Sequence, residues 1–383
     1  MSTARAFPRT YVALGALALV AVALVAWWLA RSSDAVPADP SRIAPIPKID
    51  VHTHVAPMAI DRALDALEES GIVLALNASG GEPGSSFERS RETARTTEGR
   101  MRAYCNLDLV RVVDEGAAYV VPTLERCRRD GGVGLKIPKS LGLGLLDANG
   151  VVVPVDDPRF DVVFATCGRL GLPVLLHSAD PKAFFRPPTP DNERYDELSV
   201  HPGWSFHGQR PDGRGEWPSW DEVFAQFERR VARHPGTTIV GAHFGNDAED
   251  PAAVGRMLER YPTYVIDTAA RVPEFGRHPP ATMRAFFLRW QDRILFGSDL
   301  GVGPDTFVLG SGGREPGRRE EVRPFFDAHW RWFETNGRRM TTPTPIQGRW
   351  TIDGVGLPRD VLEKVYWRNA ARVFRLGLPG RRT

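Results

Sequence analysis

The chain has 383 residues, too many for one small module and few for three ordinary domains, so one large domain or two medium ones bounds the answer. Its 49 Lys and Arg against 47 Asp and Glu leave a formal charge of only +2, which gives no bulk electrostatic ground for a nucleic-acid partner. A hydrophobic content of 42%, with 37 Gly and 32 Pro dispersed through apolar segments, excludes disorder for most of the length.

The chain opens unlike the rest. Tyr11 to Ala30 carries no charge, and a helix of that length rises about 30 Å, enough to cross a bilayer. Arg5, Arg9 and the amino terminus precede this run and Arg31 follows it, which places residues 1–10 in the cytoplasm and the remainder outside. Trp27 and Trp28 at the far end suit a retained single-pass anchor, whereas Ser33-Asp34-Ala35 keeps signal cleavage and export as the alternative. Residues 31–47, with Pro37, Pro40, Pro45 and Pro47, read as an extended tether.

From Lys48 onward short apolar runs alternate with amphipathic stretches. Candidate strands are Lys48 to His54, Ile72 to Asn77, Met101 to Leu107, Gly132 to Ile137, Leu172 to His177, Thr237 to His243, Thr263 to Asp267 and Arg293 to Asp299. Helical spacing of apolar residues appears over Ile60 to Ser70, Glu115 to Arg129, Arg159 to Leu170, Ala252 to Tyr261 and Ala281 to Trp290. The polar stretch Ser79 to Arg100 reads as largely loop. This alternation predicts an α/β fold, a (β/α)8 TIM barrel over 48–376, preceded by the transmembrane helix and followed by a tail at 377–383. Ser178 to Asp221 and Leu300 to Glu320 are long insertions after strand C-termini, the rim where such barrels carry their sites. Cys105, Cys127 and Cys167 have neither CxxC spacing nor scaffold density and read as packed thiols.

Four strand ends carry metal-competent residues: Asp50-Val51-His52-Thr53-His54 on the first, His177 on the fifth, His243 on the sixth and Asp299 on the eighth. Alternate residues of a strand share a face, so His52 and His54 can present imidazole nitrogens to one ion. A single buried histidine is ordinarily a satisfied core residue; four such strand ends together favour a site. Lys136 lies at the end of the fourth strand. Arg271, after the seventh, either grips a substrate carboxylate or forms a surface ion pair. Asn106, after the third, either binds substrate or caps a turn. His201 and His207 in the first insertion are wall or extra-ligand candidates. No phosphate loop and no GxSxG elbow is present.

The segments DVHTH, LPVLLHSADP, GAHFGN, ILFGSDLG and VYWRNAARVFRL, in this order between Lys48 and Leu376, resemble the amidohydrolase superfamily. Within it, the chain is similar to the branch that includes aminocarboxymuconate-semialdehyde decarboxylase. The resemblance implies a distorted barrel binding one Zn²⁺ or similar divalent ion through His52, His54, His177 and Asp299, with His243 as the acid/base that activates water. Binuclear members bridge two ions with a carboxylated lysine at the fourth strand. Here Pro138-Lys139 departs from that pattern, so Lys136 stands as a bridge to a second metal, a substrate-facing cation or a rim lysine. The implied activity is hydrolysis of a small amide, ester or lactone. Non-oxidative decarboxylation of an aromatic or unsaturated carboxylic acid and a non-catalytic, membrane-tethered binding module are the alternatives. The expected partners are a small-molecule substrate and the membrane, through the N-terminal helix; a second copy of the chain is allowed, and nucleic acid is not.

Overall fold

A computed structural model describes residues 45–179, 181–313 and 315–378. The predicted membrane segment 11–30, its flanks and the tail from 379 lie outside the described residues. Among the described residues no helix is long and apolar enough to cross a membrane.

All eight predicted strands form: β1 Lys48–Val55, β2 Ile72–Asn77, β3 Met101–Ala103, β4 Leu135–Ile137, β5 Val174–Leu176, β6 Ile239–Gly241, β7 Tyr264–Asp267 and β8 Ile294–Leu295. Regular pairing runs β1-β2-β3 and β4-β5-β6-β7-β8, parallel throughout. Backbone hydrogen bonds outside the regular ladders close the ring between these halves. Cys105 N donates to Gly134 O and Lys136 N to Cys105 O, both at 2.9 Å, joining β3 to β4; Val51 N donates to Phe296 O at 3.0 Å, joining β1 to β8. The TIM-barrel expectation therefore holds. Part of the second insertion adds strands: β9 Leu300–Val302 runs parallel to β1, and β10 Phe307–Leu309 antiparallel to β9.

Strand alternation decides which residues reach the barrel interior. Leu135 and Ile137, Val174 and Leu176, Ile239, Ile266 and Ile294 pack outward against the helices. Their neighbours Leu175, Val240, Val265 and Leu295 point inward, with Leu74, Leu76 and Tyr104. Lys136, between Leu135 and Ile137, is thereby an inward residue. On β1 both Ile49 and Val51 belong to the inner cluster. Regular alternation would then turn His52 and His54 outward. A register irregularity between Asp50 and Thr53 shifts the phase by one, so both histidines turn inward as well. Ala370, Phe374 and Leu376, on and just after the last helix Asn369–Phe374, plug the opposite end of the barrel.

Two expectations need correction. The stretch 79–100 contains the helix Phe87–Thr96, anchored by one buried residue, Phe87, and otherwise solvated, which is why no apolar period marked it. Cys105 and Cys127 are not packed thiols but a disulfide. The helix Ala117–Arg129 lies against the end of β3 and brings the two Cα atoms to 6.1 Å, a tertiary proximity that no spacing rule contains. Cys167 is free and buried.

Candidate metal centre

The inward residues at the C-terminal ends of the strands converge on one point. His52 Nδ1 lies 2.8 Å from Asp267 Oδ2 at the end of β7, and His54 Nδ1 lies 2.7 Å from Ser79 Oγ just after β2. With Nδ1 of each ring engaged, both Nε2 atoms are turned to the centre. Asp299 Oδ1 stands 3.6 Å from His52 Nε2 and 3.5 Å from His54 Nε2. Tetrahedral donors at roughly 2.0–2.2 Å from zinc stand about 3.3–3.6 Å apart, so these separations fit one ion of that size. His52, His54 and Asp299 are the three-donor group among the described residues, their ligand atoms all within 4.8 Å of one another.

His177 and His243 form a second layer beside this group. Their rings meet edge to face with centroids 4.3 Å apart, and His243 also lies 5.0 Å from the ring of His52. His177, an expected ligand, therefore sits against the expected acid/base rather than in the three-donor group. His243 donates from Nδ1 to Ala269 O at 2.9 Å, which leaves Nε2 as the free proton acceptor. Its backbone N–H donates to Asp267 Oδ1 at 2.7 Å. Asp267 thus orients two histidines at once. It escaped the sequence reading because it was seen only as a strand end, although it is as regularly placed there as His177. The buried Asp50 likewise accepts from Ser298 Oγ and from the backbone of His52 and Ser298, tying β1 to the Asp299 turn.

The backbone here is unusual. His243, Phe244 and Asp299 have φ of 55°, 59° and 63°, a region that costs non-glycine residues about 1–3 kcal/mol each and clusters at functional sites. These turns bend the chain at the strand ends and re-aim the side chains inward.

Burial sets the protonation states. It holds His52, His54 and His243 well below the ordinary histidine range, helped at His52 by Lys136 and at His243 by His177 and Arg271. The imidazoles are therefore neutral and able to coordinate. Burial raises Asp299 to about 7 and Asp267 to about 6, while Lys136 opposes it in both cases. Lys136 is itself lowered to about 8 by burial, against the pull of Asp299 and Asp267, and its Nζ lies 3.1 Å from His52 Nε2.

Arg271 is 9% exposed, lines a narrow cavity with His243 and Glu274, donates to Ala270 O, and forms no ion pair among the described residues. Asn106 accepts from Gly81 N through its carbonyl and donates from its amide to Ala78 O, bracing the turns after β2. In the first insertion His201 stacks on Trp204 at 3.9 Å and bonds Gly312 O, joining the two rim insertions. Lys139 lies over Trp204 and Phe206, at 5.3 and 5.5 Å from the ring centroids.

A family model described as amidohydrolase matches residues 49–376. No curated protein matches the chain. Among solved structures, 2,6-dihydroxybenzoate decarboxylase from Rhizobium is similar at 17% identity, covering 86% of this chain and 99% of that one, with TM-score 0.48. A putative amidohydrolase from Staphylococcus aureus is similar at 15% identity, 86% and 100% coverage and TM-score 0.49. A 4-oxalomesaconate hydratase from Rhodopseudomonas palustris gives 13% identity, 86% and 95% coverage and TM-score 0.48.

Proposed function

Since the chain belongs to the amidohydrolase family and is a metal-dependent enzyme of that superfamily, we propose that it hydrolyses a small amide, ester or lactone at the His52, His54 and Asp299 centre. The observation that carries this reading is the convergence of two neutral imidazole Nε2 atoms and one carboxylate oxygen, the imidazoles oriented by Asp267 and Ser79. That donor set suits Zn²⁺, one ion per chain, and His177, beside His243, would have to turn toward the ion to serve as the further ligand. When bound, such an ion supplies Lewis acidity and brings the pKa of its water near neutrality.

The chain's own residues would then do the following. Asp299 takes the proton of the attacking water or holds it for the leaving group. His243, kept neutral and fixed through Nδ1, accepts a proton at Nε2 and relays it. Lys136 and Arg271 draw an anionic substrate group toward the centre, and Arg271 can make two parallel hydrogen bonds to a carboxylate. Lys136 as a bridge between two ions remains the alternative to that role. The rim aromatics Trp204 and Phe206 form an apolar wall that restricts water.

A second reading, decarboxylation of an aromatic or unsaturated acid, is favoured by one observation: Arg271 is a nearly buried cation with no ion pair among the described residues, beside His243. Assay of the purified protein against amides, esters, lactones and hydroxybenzoates separates the two. Carbon dioxide release without incorporation of water would sink the hydrolase reading. For location, the uncharged run 11–30 supports a membrane-anchored protein with its barrel outside the cytoplasm, and the Cys105–Cys127 disulfide fits an oxidising compartment.

A further inference from the structure

The end of the barrel opposite the metal centre carries a cleft that the chemistry above does not use. Its floor is built by the residues that precede four consecutive strands: Leu172 and Pro173 before β5, Gly236 and Thr238 before β6, Pro262 and Thr263 before β7, and Arg293 before β8. The cleft has a volume of about 370 Å³. Arg372 and Arg375 form its wall, and no acidic residue lines it.

Arg372 and Arg375 are exposed, so water satisfies their N–H groups, but three guanidinium groups around one acid-free cleft repel one another and make it attractive to an anion. Their donors are unequally used. Arg293 is fixed by the carbonyls of Leu258, Tyr261, Pro262 and Tyr264, so its position is set by the end of the helix Pro251–Arg260 and the segment that follows it. Arg372 donates to Asp292 O and otherwise keeps its fork. Arg375 makes no hydrogen bond or ion pair from its side chain among the described residues, and its guanidinium lies over Gly171, where a Cβ would come within 3.0 Å of Nη2. None of the three has a carboxylate within ion-pair distance among the described residues, in a chain that pairs many of its other arginines. The local field is also felt at Arg293, whose pKa is lowered by burial and by Arg372.

We propose that this cleft binds a phosphate group, held by the forks of Arg372 and Arg375 above Arg293, with Thr238 as a neutral hydroxyl donor on the floor. Guanidinium forks match phosphate oxygens in geometry as well as charge. The phosphate can be free in solution or the headgroup of an anionic lipid. The second source is pertinent because the uncharged run 11–30 of the same chain reads as a membrane anchor.

The test uses the full chain, detergent-solubilised and metal-loaded, titrated calorimetrically with inorganic phosphate, dihexanoyl phosphatidylglycerol and dihexanoyl phosphatidylcholine. Saturable binding of inorganic phosphate places the ligand in solution; binding of phosphatidylglycerol but neither of the others identifies a lipid headgroup. In either case Arg372→Gln with Arg375→Gln is expected to weaken binding by about tenfold or more per arginine, with metal content and turnover unchanged. Thr238→Asp, which sets a carboxylate against the guanidinium groups, should abolish binding through a different change, so a poorly folding arginine variant does not protect the idea. Absence of binding by every probe, or equal binding by wild type and both variants, overturns it.

Discussion

The two ends of the same barrel solve opposite problems. At the N-terminal end the inward residues Ile49, Leu74, Tyr104, Leu175, Val240 and Leu295 meet Ala370 and Phe374 in an apolar plug that alternation alone can build. At the C-terminal end the same strands deliver His52, Lys136, Asp267 and Asp299, with left-handed backbone at three positions and three carboxylates raised to about 6 or 7 by burial. The difference teaches where each kind of free energy is placed. Apolar burial at the closed end stabilises the ring, and the open end spends part of that stability on buried charge and strain that only a bound cation and substrate make useful.

If this division is right, changes at the two ends should separate cleanly. The largest effect is expected from His52→Ala or His54→Ala, each abolishing stoichiometric metal binding by elemental analysis while circular dichroism remains that of a folded barrel. Full metal occupancy in either variant would remove that residue from the centre. His243→Asn comes next: turnover falls by about 10² to 10⁴, with metal retained, because the amide cannot carry the proton. Loss of metal in this variant would move His243 among the ligands.

At the closed end, Phe374→Ala removes a buried ring packed edge to face on Tyr104 at 5.5 Å. Stability should fall by about 3 kcal/mol or more in denaturant titration while metal stoichiometry is kept. Coupled loss of both would show that the two ends are not independent. Asp267→Asn tests the support of the centre: metal affinity should drop by about 10–100-fold, since the carboxylate that holds His52 Nδ1 becomes an amide. Unchanged affinity would reduce Asp267 to a backbone brace.

The smallest effect is a pH dependence outside the site. His329 is buried, its Nδ1 bonded to Phe325 O, and burial lowers its pKa to about 4. The unfolded chain takes up this proton below about 6.5 and the folded one only near 4, so its contribution to stability is full above pH 6.5 and declines as pH falls toward 4. His329→Phe should flatten the acid side of the stability curve by roughly 2 kcal/mol at pH 5. An identical acid slope in the variant would refute the assignment.

Much of this molecule is written in local pattern. The eight strands, five of the helices and the strand-end residues His52, His54, His177, His243 and Asp299 follow from short-range periodicity and spacing, because strand and helix periods depend only on neighbours along the chain. What the tertiary structure alone decided lies between residues far apart in sequence. The contact of His52 with Asp267 spans 215 residues, and that of Ser298 with Asp50 spans 248. The irregularity that turns both β1 histidines inward lies in the pairing with β2, where Asp50 stands opposite Ala75 and Thr53 opposite Asn77. The Cys105–Cys127 bond and the apposition of His177 with His243 belong to the same class. Each depends on which surfaces ring closure brings together, and a one-dimensional pattern records which residues face inward but not which inward residues meet.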